Sequence, residues 1–266
     1  MDRNLRYSGG TPNNYISFNN ELWRIIGIFN VYNNDTKKDE KLVKIVRNDL
    51  LGNYSWDTSP ISIDDGNGIN EWSQADLMME LNTDYLDITK TSGTTYWYNG
   101  ENNLKNGVYD YSKNIKNAYI DKIANIRWNL GAISPYLSAI NTYNQERGII
   151  HVSNPSDGIT RTNTWDGKIG LMYPSDYSYA STDSSCRNNF DTANCTNNNW
   201  LFSGEYQHLL SSGHSYPSDV FVIVNSGQVT YNYAKYTRGV RPVLFLKSDI
   251  QITSGAGIKN SPYILK

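Results

Sequence analysis

The two cysteines carry the most reactive side chains of this chain, and they lie only nine positions apart, at Cys186 and Cys195. The segment between and around them is rich in Asn, Ser and Asp. One close pair in a polar segment is typical of a disulfide formed in an oxidising compartment. Because the closed loop is short, the cross-link would contribute about 2–3 kcal/mol by restricting the unfolded chain. The alternative is a pair of unlinked loop thiols.

Histidines supply the side chains that most often act as bases or metal ligands, and two of the three lie close together. His208 and His214 flank Ser211-Ser212-Gly213, and Asp219 follows. A serine–histidine pair and a metal site with Asp219 are the two chemical alternatives there. The chain lacks the G-x-S-x-G nucleophile motif, and the histidine spacing is longer than in compact zinc sites. We therefore expect no enzyme activity and no catalytic residue, and we assign both histidines to a binding surface.

A loop rich in oxygen ligands precedes a predicted helix. Asp64, Asp65 and Asn67 are the hard ligands that calcium prefers, but their order does not follow the EF-hand pattern. Turn formation, with Asn70 as the cap of the helix, explains the same residues without a metal. We expect no cofactor, and calcium at this loop is the open alternative.

Tyrosines in the last third of the chain are the main candidates for ligand binding. Aromatic rings with polar tips provide contact area and hydrogen bonds at low entropic cost. Tyr231 and Tyr233 have the same parity in a predicted strand and would line one face of a hairpin. Trp200 and Tyr173 are assigned to the core. The candidate ligand-binding residues are Tyr206, His208, His214, Tyr216, Tyr231, Tyr233 and Tyr236.

The overall composition excludes some partners. The 266 residues have a formal net charge of −2, so there is no basic field that would hold nucleic acid or an anionic membrane. No apolar run reaches the roughly 18 residues that a membrane span needs. The 21 tyrosines and the runs of Asn are typical of a contact surface, and codon bias in an AT-rich genome is the alternative explanation.

Periodicity predicts one α+β domain over residues 1–266, with antiparallel sheets and two to three helices between N-terminal and C-terminal strand sets. The N-terminal strands are predicted at 15–18, 22–29 and 42–47, with Asn19-Asn20 as a turn. Helices are predicted at 70–85, 115–130 and from Ser134 to near Gly148, and a loop at 89–111. The later strands are predicted at 149–152, 168–173, 200–202, 220–224, 228–233, 240–246, 250–253 and 263–265.

Several sequence blocks resemble a known family. They include SGGTPNNYISFNNELWRIIGIFN, GNGINEWSQADLMMELN, GKIGLMYPSDYSYA and GVRPVLFLKSDIQITSGAGIKNSPYIL. Their order is similar to an uncharacterised domain of surface and pilin-associated proteins of low-GC Gram-positive bacteria. In that family an N-terminal anchor or prepilin helix often precedes the domain, so we expect such a helix outside this chain. Relatives often carry a second cysteine pair near Trp97–Tyr111, which this chain lacks.

The end of the chain is also similar to C-type-lectin-like folds, which include sulfatase-modifying factors and diversity-generating receptors. The similarity rests on Gly239 to Val243, which match the strand that closes the sheet in those folds. Sulfatase-modifying relatives use a late cysteine pair in thiol oxidation, which implies a thiol-oxidase alternative for Cys186 and Cys195. Asp183 and Asp191 beside the pair would oppose the thiolate that such chemistry needs.

The expected function is therefore an extracellular binding or adhesion module, the head of a pilus or cell-surface protein. Its partner would be a carbohydrate or protein receptor on another cell, or other pilus subunits. A diversity-generating variable receptor and the thiol-oxidase-like enzyme are the alternatives. Clustered AAY codons beside a template repeat would distinguish the variable receptor.

Overall fold

Strands dominate the structure. The computed structural model describes residues 4–60, 68–100, 103–134, 136–148 and 159–266. The strands within them are β1 (Leu5–Arg6), β2 (Tyr15–Phe18), β3 (Glu21–Asn33), β4 (Lys38–Arg47), β5 (Gly52–Tyr54), β6 (Thr94–Tyr98), β7 (Lys105–Asp110), β8 (Ile126–Asn129), β9 (Thr164–Gly167), β10 (Ile169–Gly170), β11 (Gln207–Ser212), β12 (Asp219–Ile223), β13 (Val229–Tyr233), β14 (Arg238–Val240), β15 (Val243–Leu246), β16 (Ile252–Ser254) and β17 (Tyr263–Leu265). The α-helices are α1 (Asp76–Asn82), α2 (Asn117–Ile120), α3 (Ala139–Glu146), α4 (Pro174–Ala180) and α5 (Ser184–Asn188).

The largest sheet has the strand order β10-β15-β4-β3-β2-β17-β16. Strands β2, β3 and β4 form the antiparallel meander predicted from the sequence. Asn19 and Asn20 turn the chain between β2 and β3 with φ of 58° and 60°, the left-handed region that asparagine tolerates. Strand β3 is central, and its apolar side chains are buried on both faces, as predicted.

A second sheet has the order β13-β12-β11-β14-β5. The chain crosses from this sheet to the large one at Arg241-Pro242, between β14 and β15. The single strand predicted at 240–246 is therefore wrong, because proline cannot donate to a ladder and the buried Arg241 bonds the carbonyls of Arg47 and Leu201 instead. The crossing places both sheets around one buried core.

The helix predicted at 115–130 is wrong. Only the one-turn helix α2 forms there, and the following residues make strand β8, which pairs with both β3 and β9. Trp128 in β8 is fully buried. The apolar spacing fitted a helix, but the ladder partners that favour a strand come from distant parts of the chain.

The loop predicted at 89–111 is also wrong. Strands β6 and β7 form an antiparallel hairpin there. Trp97 stacks on Tyr109 with ring centroids 4.0 Å apart, and Tyr54 packs against both rings. This aromatic cluster holds the hairpin against β5.

Other helices differ from prediction in their bounds. Glu71 caps a short 3₁₀ turn at Trp72–Gln74, and α1 then begins at Asp76, while the amide of Asn70 bonds carbonyls of residues 213, 216 and 219. Asn70 is therefore not a helix cap. The third helix forms as α3 with Ser138 as its cap. Two helices, α4 and α5, were not predicted; α4 directly follows the strand predicted at 168–173, of which Ile169–Gly170 forms β10.

The remaining strand predictions have mixed outcomes. The strands predicted at 220–224, 228–233, 250–253 and 263–265 correspond to β12, β13, β16 and β17, whereas 200–202 forms a turn. The strand predicted at 149–152 lies outside the described residues. Trp200 and Tyr173 are 5% and 4% exposed, which confirms their assignment to the core. The class is α+β with few helices, as predicted.

Candidate functional site

Two of the predicted tyrosines, Tyr231 and Tyr233, lie on strand β13, which forms one edge of the second sheet. In that strand Val229 is buried, Tyr231 is exposed and Tyr233 is half-buried. Side chains two residues apart in a strand point to the same face, so Tyr231 and Tyr233 share a face, as predicted. Tyr231 also contacts the buried ring of Phe221 on β12, its direct ladder partner, at 6.4 Å between centroids.

A first group of side chains, the tyrosine–arginine patch, consists of Tyr206, Tyr233, Tyr236 and Arg238. The guanidinium carbon of Arg238 lies 4.8 Å from the ring centroid of Tyr206 and 5.3 Å from that of Tyr236. The rings of Tyr233 and Tyr236 are 5.5 Å apart. Tyr206 and Tyr236 are exposed. A cation between aromatic faces holds the rings in fixed positions, which lowers the entropy that a bound partner must remove.

A second group, the tyrosine–carboxylate patch, consists of Tyr136, Tyr216, Tyr231 and Asp191. Its three tyrosines are 69%, 50% and 39% exposed, respectively. Partial burial raises the pKa of Tyr231, and Asp219, Tyr136, Tyr216 and Asp191 raise it further, so each of these groups lies within electrostatic range of Tyr231. Exposed ring faces beside carboxylates suit a polar ligand with apolar faces, such as a sugar.

Sequence reasoning missed three members of these patches: Tyr136, Asp191 and Arg238. Asp191 lies inside the disulfide loop, and Tyr136 lies in the turn before α3, with a positive φ of 61°. Arg238 was visible as a cation next to the predicted tyrosines. Nothing local to Tyr136 indicates that it lies within electrostatic range of Tyr231, 95 positions later.

His208 does not belong to the surface, contrary to the prediction. It is 1% exposed, and its Nε2 lies 3.1 Å from the carbonyl oxygens of both Tyr54 and Tyr236. Burial, followed by the charge of Arg238, lowers its pKa to about 3, so the ring is neutral and its Nε2–H donates to these carbonyls. The ring thus links β5 to the segment carrying Tyr236. His214 is half-buried beside Tyr216, and its backbone N–H donates to Ile133.

The disulfide is present, as predicted, but it lies in the core and not in an exposed loop. Cys186 and Cys195 are linked, with Cα atoms 4.7 Å apart, and both are fully buried. Phe190, between them, is buried against Phe221 at 5.8 Å, and its carbonyl accepts the N–H of Val229 on β13. The cross-linked loop therefore supports the strand that carries Tyr231. Buried sulfurs are out of reach of a substrate thiol, which argues against the thiol-oxidase alternative.

The calcium candidates Asp64, Asp65 and Asn67 lie outside the described residues. Within the described ranges, no group of three His, Cys, Asp or Glu side chains has a metal-binding arrangement. Glu71, the acidic residue that follows this loop, is buried and accepts hydrogen bonds from Ser73 and Thr162.

An apolar groove, which sequence reasoning did not foresee, lies on the large sheet away from β13. Its volume is about 550 Å³, and its lining includes Leu5, Ile28, Val43, Ile252 and Leu265. Leu5 and Ile252 are 68% and 53% exposed. Both were visible in the sequence as isolated apolar residues near the ends of the chain.

Among the described residues, no helix is both long and apolar enough to cross a bilayer. Comparison of the chain with protein-family models, with curated proteins and with solved structures finds no significant match. The site must therefore be interpreted from its own geometry.

Proposed function

We propose that this chain is an extracellular binding module, with the tyrosine–carboxylate patch as its ligand site. In this proposal it is a C-type-lectin-like, surface or pilin-associated domain that acts as an adhesive head. The observation that carries the proposal is the exposure of three tyrosines from separate segments, Tyr136, Tyr216 and Tyr231. Tyr136, Tyr216 and Asp191 all lie within electrostatic range of Tyr231. Exposed aromatic rings carried on a rigid scaffold suit recognition of a partner.

The disulfide supports an extracellular location, because such bonds persist in oxidising compartments. It also supports the site directly. The loop it closes contributes Asp191 and holds β13 through Phe190. A ligand site built on a cross-linked loop and a sheet edge is ordered before binding, which lowers the entropic cost of association.

The ligand class favoured by the patch is a carbohydrate. A sugar presents apolar C–H faces that stack on tyrosine rings and hydroxyls that donate to carboxylates. A protein partner, either a receptor on another cell or a neighbouring pilus subunit, would use the same groups, with the tyrosine–arginine patch extending the contact area.

A glycan array probed with the purified chain tests the proposal. Tyr231→Ala and Asp191→Asn should each lower binding of the best glycan at least tenfold, since each removes a contact at the centre of the patch. Tyr96→Ala is the matched control, because Tyr96 is 56% exposed on the separate β6–β7 hairpin. Equal losses in all three variants, or no glycan bound by the wild type, would reject a carbohydrate site at this patch.

A further inference from the structure

A lysine lies at the centre of the large sheet, fully enclosed by protein. Lys44 is on β4, between its ladder partners on β3 and β15, and it is 1% exposed. Four aromatic rings surround its Nζ. The distances from Nζ to their centroids are 4.3 Å for Tyr173, 5.4 Å for Phe29, 5.6 Å for Phe245 and 5.7 Å for Trp128.

The partner of this lysine is an equally buried carboxyl group. Lys44 Nζ donates to Oδ2 of Asp176, whose side chain is 1% exposed. Asp176 lies in the first turn of α4, and the same oxygen accepts the N–H of Tyr173 at 3.0 Å. The two residues are 132 positions apart in the sequence. Sheet and helix hold the amine and the carboxyl group in contact, with no freedom to separate into water.

A second buried carboxyl group lies next to this pair. Glu146 at the end of α3 accepts the N–H and the hydroxyl of Ser175, at 2.8 Å and 2.5 Å, and Ser175 immediately precedes Asp176. Arg147 lies 3.3 Å from the same carboxylate. Glu146 interacts electrostatically with both Lys44 and Asp176. Burial raises the pKa of Glu146 to about 7, so this group can both accept and release a proton near neutral pH.

Two states of the Lys44–Asp176 pair are chemically possible. The first is an ion pair, whose desolvation in an aromatic shell is costly. The second is the neutral pair of amine and carboxylic acid, which low polarity favours, and burial does lower the pKa of Lys44. A neutral amine in contact with a neutral carboxylic acid is the reactant pair for an amide, and rigid placement gives such pairs a very high effective concentration.

We propose that Lys44 and Asp176 join in an intramolecular isopeptide bond. Nζ of the neutral Lys44 attacks Cγ of the protonated Asp176, a C–N bond forms, and the C–O bond to the hydroxyl oxygen breaks. The nitrogen loses one proton, which Glu146 carries to the departing oxygen, so one water molecule leaves and no oxidant is needed. The aromatic shell excludes the water that would reverse the reaction. The product ties the central strand β4 to α4 covalently.

Mass spectrometry of the full chain tests the bond directly. The denatured, reduced protein should weigh one water molecule less than its sequence requires. Trypsin should release a branched peptide in which residues 42–47, uncleaved after Lys44, are attached to residues 169–187. An intact mass equal to that calculated from the sequence would overturn the proposal. So would a mass that is lower by one water molecule in a digest without this branched peptide.

Variants separate the chemistry from folding. Lys44→Arg keeps the cation but lacks the primary amine, and Asp176→Ala lacks the carboxyl group, so both should have the full sequence mass. Asp176→Asn is unsuitable as a control, because loss of ammonia would form the same amide. Glu146→Gln should slow formation of the branched peptide at least tenfold in a time course that starts from newly synthesised, unlinked chain, with Glu146→Asp restoring part of the rate. Wild-type rates in Glu146→Gln would remove Glu146 from the proposed reaction.

Discussion

Removing the Cys186–Cys195 cross-link should have an effect that can be calculated from the structure. The cysteines are nine positions apart. In the chain-entropy model a loop of this length stabilises the folded chain by about 2.6 kcal/mol. Unfolding 266 residues releases about 0.56 kcal/mol/K of entropy at about 2.1 cal/mol/K per residue. The expected fall in melting temperature is therefore about 5 °C.

The assay compares thermal unfolding of the wild type with and without excess reductant, and with a Cys186→Ala/Cys195→Ala variant. The reductant removes the cross-link from the unfolded chain but keeps both sulfur atoms. The double variant also leaves small cavities at two fully buried positions, so its melting temperature should fall by a further few degrees.

Hydrogen exchange locates the effect. Amides of residues 184–197, and the N–H of Val229 that donates to Phe190, should exchange faster in the double variant. Amides in the β3–β4 ladder should keep their protection against exchange. The affinity for a glycan at the patch that contains Asp191 should be lost to a larger extent than the thermal stability of the chain. A shift in melting temperature of less than about 1 °C, or an equal loss of protection throughout the chain, would contradict a local, entropic role for the cross-link.

Two further predictions concern stability. Glu80 is 4% exposed, and burial raises its pKa from 4.5 to about 9. The folded chain keeps a proton there that the unfolded chain releases, so Glu80 alone should lower stability by about 1.4 kcal/mol per pH unit as the pH rises from 5 to 8. In urea unfolding, Glu80→Gln should remove this pH dependence of the free energy of unfolding, whereas the exposed Glu205→Gln should leave it unchanged. The same pH dependence in the wild type and in Glu80→Gln would contradict a protonated, buried Glu80. Gly27→Ala would place its Cβ 2.0 Å from the carbonyl oxygen of Leu5, so it should detach β1 and cost about 1–3 kcal/mol. Gly10→Ala, whose Cβ meets nothing nearer than 3.5 Å, is its control, and equal melting temperatures for the two variants would argue against the close contact.

Features set by neighbours in the sequence could be predicted well. The Asn19-Asn20 turn, the meander it begins, the β12–β13 hairpin and the disulfide all depend on residues close together in the chain. Dihedral preference and short loop closure act locally, so the residue types themselves carry the information. The same holds for the shared face of Tyr231 and Tyr233, which follows from strand parity alone.

Features that depend on distant partners could not be predicted. Apolar spacing at 115–130 fits a helix, and only pairing with β3 and β9 makes part of it strand β8. The polar residues His208 and Lys44 look like surface groups in the sequence, yet sheets and aromatic rings enclose both. Burial is a property of what packs around a side chain, and those atoms come from elsewhere in the chain.

In the candidate site, too, some features follow from the sequence and others depend on distant parts of the chain. The sequence alone indicated that tyrosines with polar neighbours are concentrated late in the chain, because residue type and position need no long-range information. Tertiary structure decided the rest, by placing Tyr136 and Asp191 within electrostatic range of Tyr231 and by burying His208 in the sheet. Residue type specifies what a side chain can do, whereas long-range strand pairing and core packing determine which side chains act together.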